Sequence, residues 1–521
     1  MSLDAQKVLA EALRRVHAAA PDQILRARQM TRADRELLKR RGFLVEIIRG
    51  WFALSTPQAQ PGDTAFWHLH FWPFAGAYLK SRFGERYCLS AEHSLDVWVE
   101  ANQTPSQLIV MAGKGGVLTI KLPNKASILL YPTRKPLPPK RELRRGVQVM
   151  SLANALIRVS PSYFTRSAAS AELALRLVRV EDLSRALLSE ETNQAAAGRL
   201  IGGLRHLGLS QAADRLLEDL TAAGLLISPV NPFESPSRLP VGSVLRSPYV
   251  GRIESMWSEM REAVIKVFPK APARLPSRGQ ILGRLKAIYT HDAYNSLSIE
   301  GYQVTPALID RVAAGDWDPS ANPNDSAQVN AMAAKGYRTA FDAVLVSLED
   351  ALKGQSAGSV FERDLQVWYR ALFSPSVQAG ILPAASLAGY RDRRVFIRGS
   401  NHVPPAQETV PALMDTLFRL LQSEPSPAVR AVLGHFIFVF IHPYADGNGR
   451  LGRFLLNLML ASGGYDWTVV RVERRPEYMA ALEQASVHGN ITGFVRFLAR
   501  EMKATADLAS ATPTKRAGNS K

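Results

Sequence analysis

Cysteine is nearly absent: Cys88 stands alone among 521 residues, which excludes an intrachain disulfide framework and fits a reducing compartment. Long apolar runs are missing as well. No stretch approaches the roughly 20 residues that a membrane helix needs. The segment MSLDAQKVLAEALRRVH is amphipathic and lacks the apolar core of a signal peptide. His68 and His70 stand close together, but no Cys or Asp partner at ligand spacing accompanies them, so they read as core or helix-face histidines. The GKGG at Gly113 to Gly116 lacks the spacing of a Walker loop. No internal repeat is visible. These absences leave a soluble, cytoplasmic chain with no membrane partner.

Positive charge is in surplus. The formal net charge is +18, while the hydrophobic fraction (46%) and charged fraction (21%) are ordinary for globular protein. With a pI near 10.0, the excess favours a polyanionic partner, or reflects a basic host proteome or a solvated surface. The length suits two to four domains with real cores.

The stretch richest in reactive groups runs from Phe436 to Leu460, FIFVFIHPYADGNGRLGRFLLNLML. An apolar run of helical length stops at His442-Pro443, where proline removes a backbone donor. A second apolar helix is expected just after Asp446-Gly447-Asn448-Gly449. A glycine-rich turn opening a helix leaves backbone N–H groups free and outward, which makes an anion site. Gly447 and Gly449 can take the left-handed conformations of such a nest. Asp446 is a hard oxygen ligand suited to Mg²⁺. Arg450 and Arg453 share a face near the positive helix end, where cations serve little purpose unless an anion binds. His442, at the lip, is suited to take a proton from a hydroxyl near neutral pH. The set points to nucleotidyl or phosphoryl transfer. The blander reading is a helix–turn–helix corner with a buried histidine. An EF-hand loop is excluded: Arg450 and Leu451 occupy the next ligand and glycine positions, and Asn457 stands where the bidentate glutamate belongs.

The run HPYADGNGRLGR resembles the signature of the Fic family, HxFx(D/E)GNGRxxR, at every position except Tyr444. Tyr444 stands for Phe and is expected to keep its anchoring role. The resemblance implies a mainly α chain with an all-helical Fic domain over residues 248–505. His442 would be the general base and Asp446 the ligand of Mg²⁺ or Mn²⁺. Gly447, Asn448 and Gly449 would form the anion hole, with Arg450 and Arg453 on the β- and γ-phosphates of ATP. Fic enzymes mostly transfer AMP from ATP to a Ser, Thr or Tyr hydroxyl of a protein. Doc-type relatives that phosphorylate instead carry Lys where this chain has Gly449, so AMP transfer is the expected activity. A Glu just before a Gly C-cap is disfavoured by the helix dipole and wants a cation. Ser296, Glu300 and Gly301, ending a long helix from near Arg278, match the family's inhibitory motif (S/T)xxxE(G/N). Carried over, Glu300 pairs with Arg453 and pushes the γ-phosphate out of its productive place. Residues 389–405, with Arg391, Val395, Phe396 and Ile397, alternate like a β-hairpin and resemble the family's active-site flap, which registers a target segment by adding a strand. Tyr478, Phe494 and Phe497 fit the core of the closing helices. The polar, basic residues 506–521 read as a disordered tail.

The N-terminal half reads as α+β. Over 1–54, Leu9, Leu13 and Val16 recur at helical spacing, Ile24 and Leu25 begin a second helix, Thr31 to Arg41 is a short basic helix, and LVEIIRGWFAL forms two strands about Arg49-Gly50. The order fits a small winged helix with Arg32, Arg35, Lys39, Arg40 and Arg41 on DNA phosphates, or a helical packing domain with a hairpin. Residues 55–230 continue as a mixed region in which LIVMAGKGGVLTIKL is a strand, a hairpin turn and a strand. The basic stretch from Arg134 to Arg145 is a nucleic-acid contact loop or a solvated linker. GERYCLSAEHSLDVW, that stretch and GRLIGGLRHLGLSQAADRLLEDLTAAG together resemble the N-terminal regions of AbiEi-type antitoxins, winged-helix repressors of toxin–antitoxin operons. Residues 231–247, rich in Pro and Ser, read as the linker. The expected partners are ATP, a protein target with an exposed hydroxyl, and DNA through the basic N-terminal region; a homodimer is allowed. The competing function is a DNA-binding regulator of toxin–antitoxin type in which Fic chemistry is secondary.

Overall fold

The computed structural model describes residues 3–20, 23–57, 64–113, 115–133, 136–138, 140–189, 193–239, 247–272, 276–316 and 328–511. The chain divides into two compact units, residues 1–252 with 396–403, and residues 253–395 with 404–521.

The first unit opens with α1 (Leu3–Ala19), β1 (Ile24–Arg26), α2 (Arg32–Arg40), β2 (Leu44–Ile48) and β3 (Trp51–Leu54). The strands form an antiparallel sheet in the order β1-β3-β2. Thr31 starts α2 by accepting from the Asp34 amide, a side-chain N-cap. The helix expected at Ile24 and Leu25 is strand β1 instead. Both residues are buried and lie opposite Ala53 and Phe52, and a run this short carries no period that separates helix from strand.

The unit continues with α3 (Thr64–Phe83), β4 (Tyr87–Leu89), α4 (Ala91–Trp98), β5 (Gln107–Ala112), β6 (Leu118–Lys121), β7 (Ser127–Pro132), β8 (Arg141–Arg144) and β9 (Val147–Met150). The larger sheet runs β4-β5-β7-β6. The hairpin expected at GKGG therefore does not form: β7 lies between β5 and β6, parallel to β5. Ile128 and Leu130 of β7 are buried beside Leu108 and Val110, while β6 is mostly exposed and takes the edge. His68 and His70 are buried on α3; His70 Nδ1 meets the Phe66 carbonyl at 2.8 Å. Helices α5 (Leu152–Arg158), α6 (Tyr163–Arg166), α7 (Ala168–Leu177), α8 (Val180–Ser189), α9 (Gln194–His206) and α10 (Ser210–Ala222) follow. Residues 231–239, expected as linker, are packed: Phe233 and Leu239 are buried in the helical core, and the Glu172 carboxylate accepts from the Arg238 and Leu239 amides at 3.1 and 3.2 Å. The rest of that stretch at 240–246, and Arg134, Lys135 and Pro139 of the basic stretch, lie outside the described residues.

Helix α11 (Pro248–Val267) spans the division between the units. The second unit is helical: α12 (Arg278–Ile299), α13 (Pro306–Ala314), α14 (Gln328–Leu352), α15 (Ala357–Gln378), α16 (Val410–Ser423), α17 (Pro427–Ile441), α18 (Asn448–Ser462), α19 (Arg475–His488) and α20 (Thr492–Ala511). Because α20 runs to Ala511 through good helix formers, the expected tail begins as helix; residues 512–521 lie outside the described residues. Helix α17 is apolar nearly all round and buried, as a central helix must be. It pairs with α18, and α14 and α15 pack on each other and on α18. Tyr337, Trp368 and Phe454 interlock at their contact, with ring centroids 4.9 and 6.4 Å apart. Tyr478, Phe494 and Phe497 are buried together.

Residues 389–405 contain bends and turns but no paired strand, in place of the expected β-hairpin. At the base, the Arg391 guanidinium binds carbonyls at positions 393, 405, 441 and 442. The segment 396–403 belongs to the first unit, where Thr64 Oγ1 donates to the Ser400 carbonyl and the Val403 amide to the Asn102 carbonyl, both at 2.8 Å. No described helix is long and apolar enough to cross a membrane.

The closeness of α14 and α15 gives a stability test. A Cβ on Gly336 would collide with the Leu372 carbonyl of α15, whereas Gly283 on α12 faces open space. Gly336→Ala is expected to destabilise by about 1–3 kcal/mol, and Gly283→Ala to be neutral or stabilising by up to about 1 kcal/mol. Urea midpoints of the two variants check both.

Candidate active site

The turn between α17 and α18 carries the reactive groups. Helix α17 ends at His442, which takes the left-handed conformation at φ 54° and ψ 59°. A non-glycine residue held there stores strain, a common mark of functional positions. The following residue and two side-chain hydrogen bonds hold it. Pro443 ends the helix, Arg391 Nε donates to the His442 carbonyl at 2.8 Å, and His442 Nδ1 meets the Val439 carbonyl at 3.2 Å. The last contact assigns the proton to Nδ1 and leaves the Nε2 lone pair as acceptor. Burial, with the Arg391 charge adding, lowers the His442 pKa to about 4. The imidazole is therefore neutral at neutral pH, the form a base requires.

Gly447 takes φ 85° as the N-cap of α18, and a Cβ there would meet the Phe373 ring at 2.7 Å. The Asn448 side chain braces the turn. Its Oδ1 accepts from the Tyr444 amide at 2.9 Å and its Nδ2 donates to the Tyr444 carbonyl at 2.8 Å, pinning the turn. Tyr444 is fully buried and stacks on Tyr369 at 4.0 Å, while its hydroxyl reaches Gln366 at 3.2 Å. Asp446 accepts from the Gly447 amide through Oδ1 and from Arg450 through Oδ2, and its side chain stays 60% exposed.

The two arginines differ. Arg450 is 1% exposed and lies against the rings of Tyr302 and Phe373 at 5.2 and 5.1 Å. Arg453 reaches α12: Nε donates to Ser296 Oγ at 2.8 Å, Nη2 to the Ser296 carbonyl at 3.0 Å and to Glu300 Oε1 at 2.7 Å. Arg450 Nε and Arg453 Nη1 are buried without a protein partner, an arrangement that suits an anion. Burial pushes the Glu300 carboxyl up, but Arg453 and Arg450 pull it further down, so it lies below the ordinary carboxylate range. Glu300 caps α12 and Gly301 follows at φ 91°. The carboxylate reaches Gly449 so closely that a Cβ there would collide with it.

Of the residues singled out in sequence, the structure gathers Ser296, Glu300, Gly449 and Arg453 at one point, with Arg450, Asp446 and His442 around the same turn. Arg391, expected on the docking face, is 5% exposed and caps the carbonyl end of α17 instead, where a cation suits the dipole. Val395 falls in the second unit and Phe396 and Ile397 in the first. Asp292 and Tyr337 were not singled out. The sequence carried a signal only for Asp292, which precedes Ser296 by the same four residues that separate Ser296 from Glu300. Among the described residues no group of three or more His, Cys, Asp or Glu could hold a metal ion.

The collision at Gly449 gives a coupling test. Gly449→Ala is expected to drive the flexible Glu300 side chain off Arg453. In a double-mutant cycle, Glu300→Gln should then destabilise the parent by about 1–3 kcal/mol and the Gly449→Ala background hardly at all. Equal costs in both backgrounds would show that the methyl is accommodated without moving the carboxylate.

The family model of the Fic/DOC family matches residues 360–460. The chain is similar to a protein adenylyltransferase Fic of Nematostella vectensis, 40% identical over 129 residues, 24% of this chain and 30% of the relative. It is similar to the protein adenylyltransferase Fic of Drosophila melanogaster, 28% identical over 288 residues, 54% of this chain and 53% of the relative. The chain thus spans about a third to a half of these curated relatives. A solved structure of Fic-1 from C. elegans is 17% identical, covering 66% of this chain and 94% of that one at a TM-score of 0.38. Residues 360–460 of this chain are a Fic/DOC-family domain.

Proposed function

We propose that the chain is a protein adenylyltransferase that moves AMP from ATP to a Ser, Thr or Tyr hydroxyl of a protein and is held back by Glu300. The observation that carries this reading is the carboxylate against Gly449, bonded to Arg453 beside buried N–H groups that lack a protein partner. An anion of the protein's own stands where phosphate oxygens would be bound. The relatives named for this activity support the reading.

In this reading the turn amides around Gly447 and Gly449, with Arg450, receive the phosphates, and Arg453 takes the γ-phosphate once Glu300 withdraws. Asp446 would hold Mg²⁺ or Mn²⁺, an exposed single carboxylate that fits the habit of such ions to bind few protein oxygens plus phosphate and water. When bound, the ion neutralises phosphate charge. His442 Nε2 takes the proton of the target hydroxyl as its oxygen bonds to the α-phosphorus. The bond from that phosphorus to the bridging oxygen breaks, pyrophosphate leaves, and AMP stays on the protein. A reducing, cytoplasmic setting belongs to the same reading, in keeping with the free, buried thiol of Cys88.

Labelling with α-³²P and γ-³²P ATP tests it. Glu300→Gly is expected to raise self-labelling from α-³²P by tenfold or more, on the order of an ion pair removed from the competing state. His442→Ala in that background should abolish the label and leave the melting temperature unchanged. Label from γ-³²P alone would make the chain a kinase.

A second reading, DNA binding by the first unit, is favoured by the exposed Arg32, Lys39, Arg40 and Arg41 on and beside α2; Arg35 is partly buried beside Glu36. It would join the transferase to control of an operon of toxin–antitoxin type. Duplex affinity is expected to fall steeply between 50 and 200 mM salt and to drop with Arg32→Ala and Arg40→Ala together. Binding that ignores both would remove the reading.

A further inference from the structure

Arg453 is buried, yet the group that pairs with its charge, Glu300, has a side chain 26% exposed at the very end of α12. In the proposed cycle that partner must leave before the γ-phosphate reaches Arg453. Two of the three bonds Arg453 makes go to Ser296 rather than Glu300, so Ser296 is what remains to aim the guanidinium when the latch opens.

The helix turn that carries the serine is itself held. Four residues before Ser296 on α12, Asp292 Oδ2 accepts from the Tyr337 hydroxyl of α14 at 2.7 Å, which fastens that part of α12 to α14. The Tyr337 ring in turn packs on Phe454, the residue after Arg453, with centroids 4.9 Å apart. Asp292, Ser296 and Glu300 follow one another at four-residue steps and line one face of α12. Asp292 is 3% exposed, Ser296 1% and Tyr337 0%. None of these can swing away as Glu300 can. A carboxylate placed so deep costs stability unless its bonds repay the lost hydration, and burial pushes it up to about 6 against the pull of Tyr337 and Arg453.

The geometry points to Asp292 and Tyr337 as positioning residues that hold Arg453 toward the phosphate site through Ser296, independently of the Glu300 latch. This rests on the adenylyltransferase reading. The three residues form a fixed tier behind a movable one. Glu300 decides whether the γ-phosphate site is open, and the Asp292–Tyr337 bond, by fixing the stretch of α12 that bears Ser296, decides where Arg453 points once it is.

The test uses the full-length protein in the Glu300→Gly background, titrated with ATP and with ADP by calorimetry. Arg453 addresses the γ-phosphate, so Tyr337→Phe is expected to weaken ATP binding about tenfold, the scale of one misdirected charge-assisted hydrogen bond, and ADP binding less than about twofold. KM for ATP should rise more than kcat falls. Asp292→Asn, which keeps an oxygen acceptor for Tyr337, should restore most of the preference for ATP relative to Asp292→Ala. Equal losses for ATP and ADP, or unchanged ATP affinity, would overturn the inference and leave the transferase reading standing. A Glu300→Gly parent that binds neither nucleotide would overturn both. Should Tyr337→Phe melt early, the Asp292→Asn and Asp292→Ala pair is read by the same ratio.

Discussion

Arg453 is a cation held almost wholly out of water, and α12, α14 and α18 are arranged around the need to compensate it. A buried charge is tolerated when it is paired with an opposite charge and hydrogen-bonded. Helix α12 meets that need from its last two turns, with the Ser296 hydroxyl and carbonyl and then the Glu300 carboxylate. The same contact explains an otherwise unfavourable choice. A glutamate at the carbonyl end of a helix is opposed by the macrodipole, and here the guanidinium more than offsets that cost, holding the carboxyl below its usual range. Gly449 completes the arrangement by leaving room for the carboxylate.

The turn beside it is rigid for reasons that do not involve a ligand. Arg391 ties the carbonyl end of α17, Asn448 ties Tyr444 from both sides, and the Tyr444 ring is clamped against Tyr369. His442 can therefore be kept in a strained conformation with its Nδ1 engaged and its Nε2 free. Such preorganisation places the cost of orienting the imidazole in folding. The Glu300 side chain, by contrast, is partly exposed and stands on a helix end, where a side chain moves without disturbing the core.

Much of this second unit was legible in the sequence because its signals are local. The stop at His442-Pro443, the glycines of the turn, the apolar runs that became α17 and α18, and the Glu300-Gly301 helix end each depend on neighbours within a turn or two. The features that were misread depend on distant partners. Ile24 and Leu25 form a strand because β3 offers them a free edge. The two strands flanking GKGG are separated by β7, which arrives later in the chain and buries Ile128 and Leu130 beside β5. The alternation over residues 389–405 looked like a hairpin, but no second strand lies alongside, and Arg391 draws the base of the loop together through carbonyls instead.

The sequence by itself determined the chemistry available at the turn, since a glycine nest, a carboxylate, two arginines and an imidazole within twelve residues leave few alternatives, and it determined the helical period of the elements around them. Only the tertiary structure decided which charges meet. Arg453 and Glu300 lie 153 positions apart, and Asp292 and Tyr337 lie 45 apart, so no local rule pairs them. What pairs them is burial: once α12, α14 and α18 pack and water is excluded, each polar group must find its partner among those the fold has brought within reach.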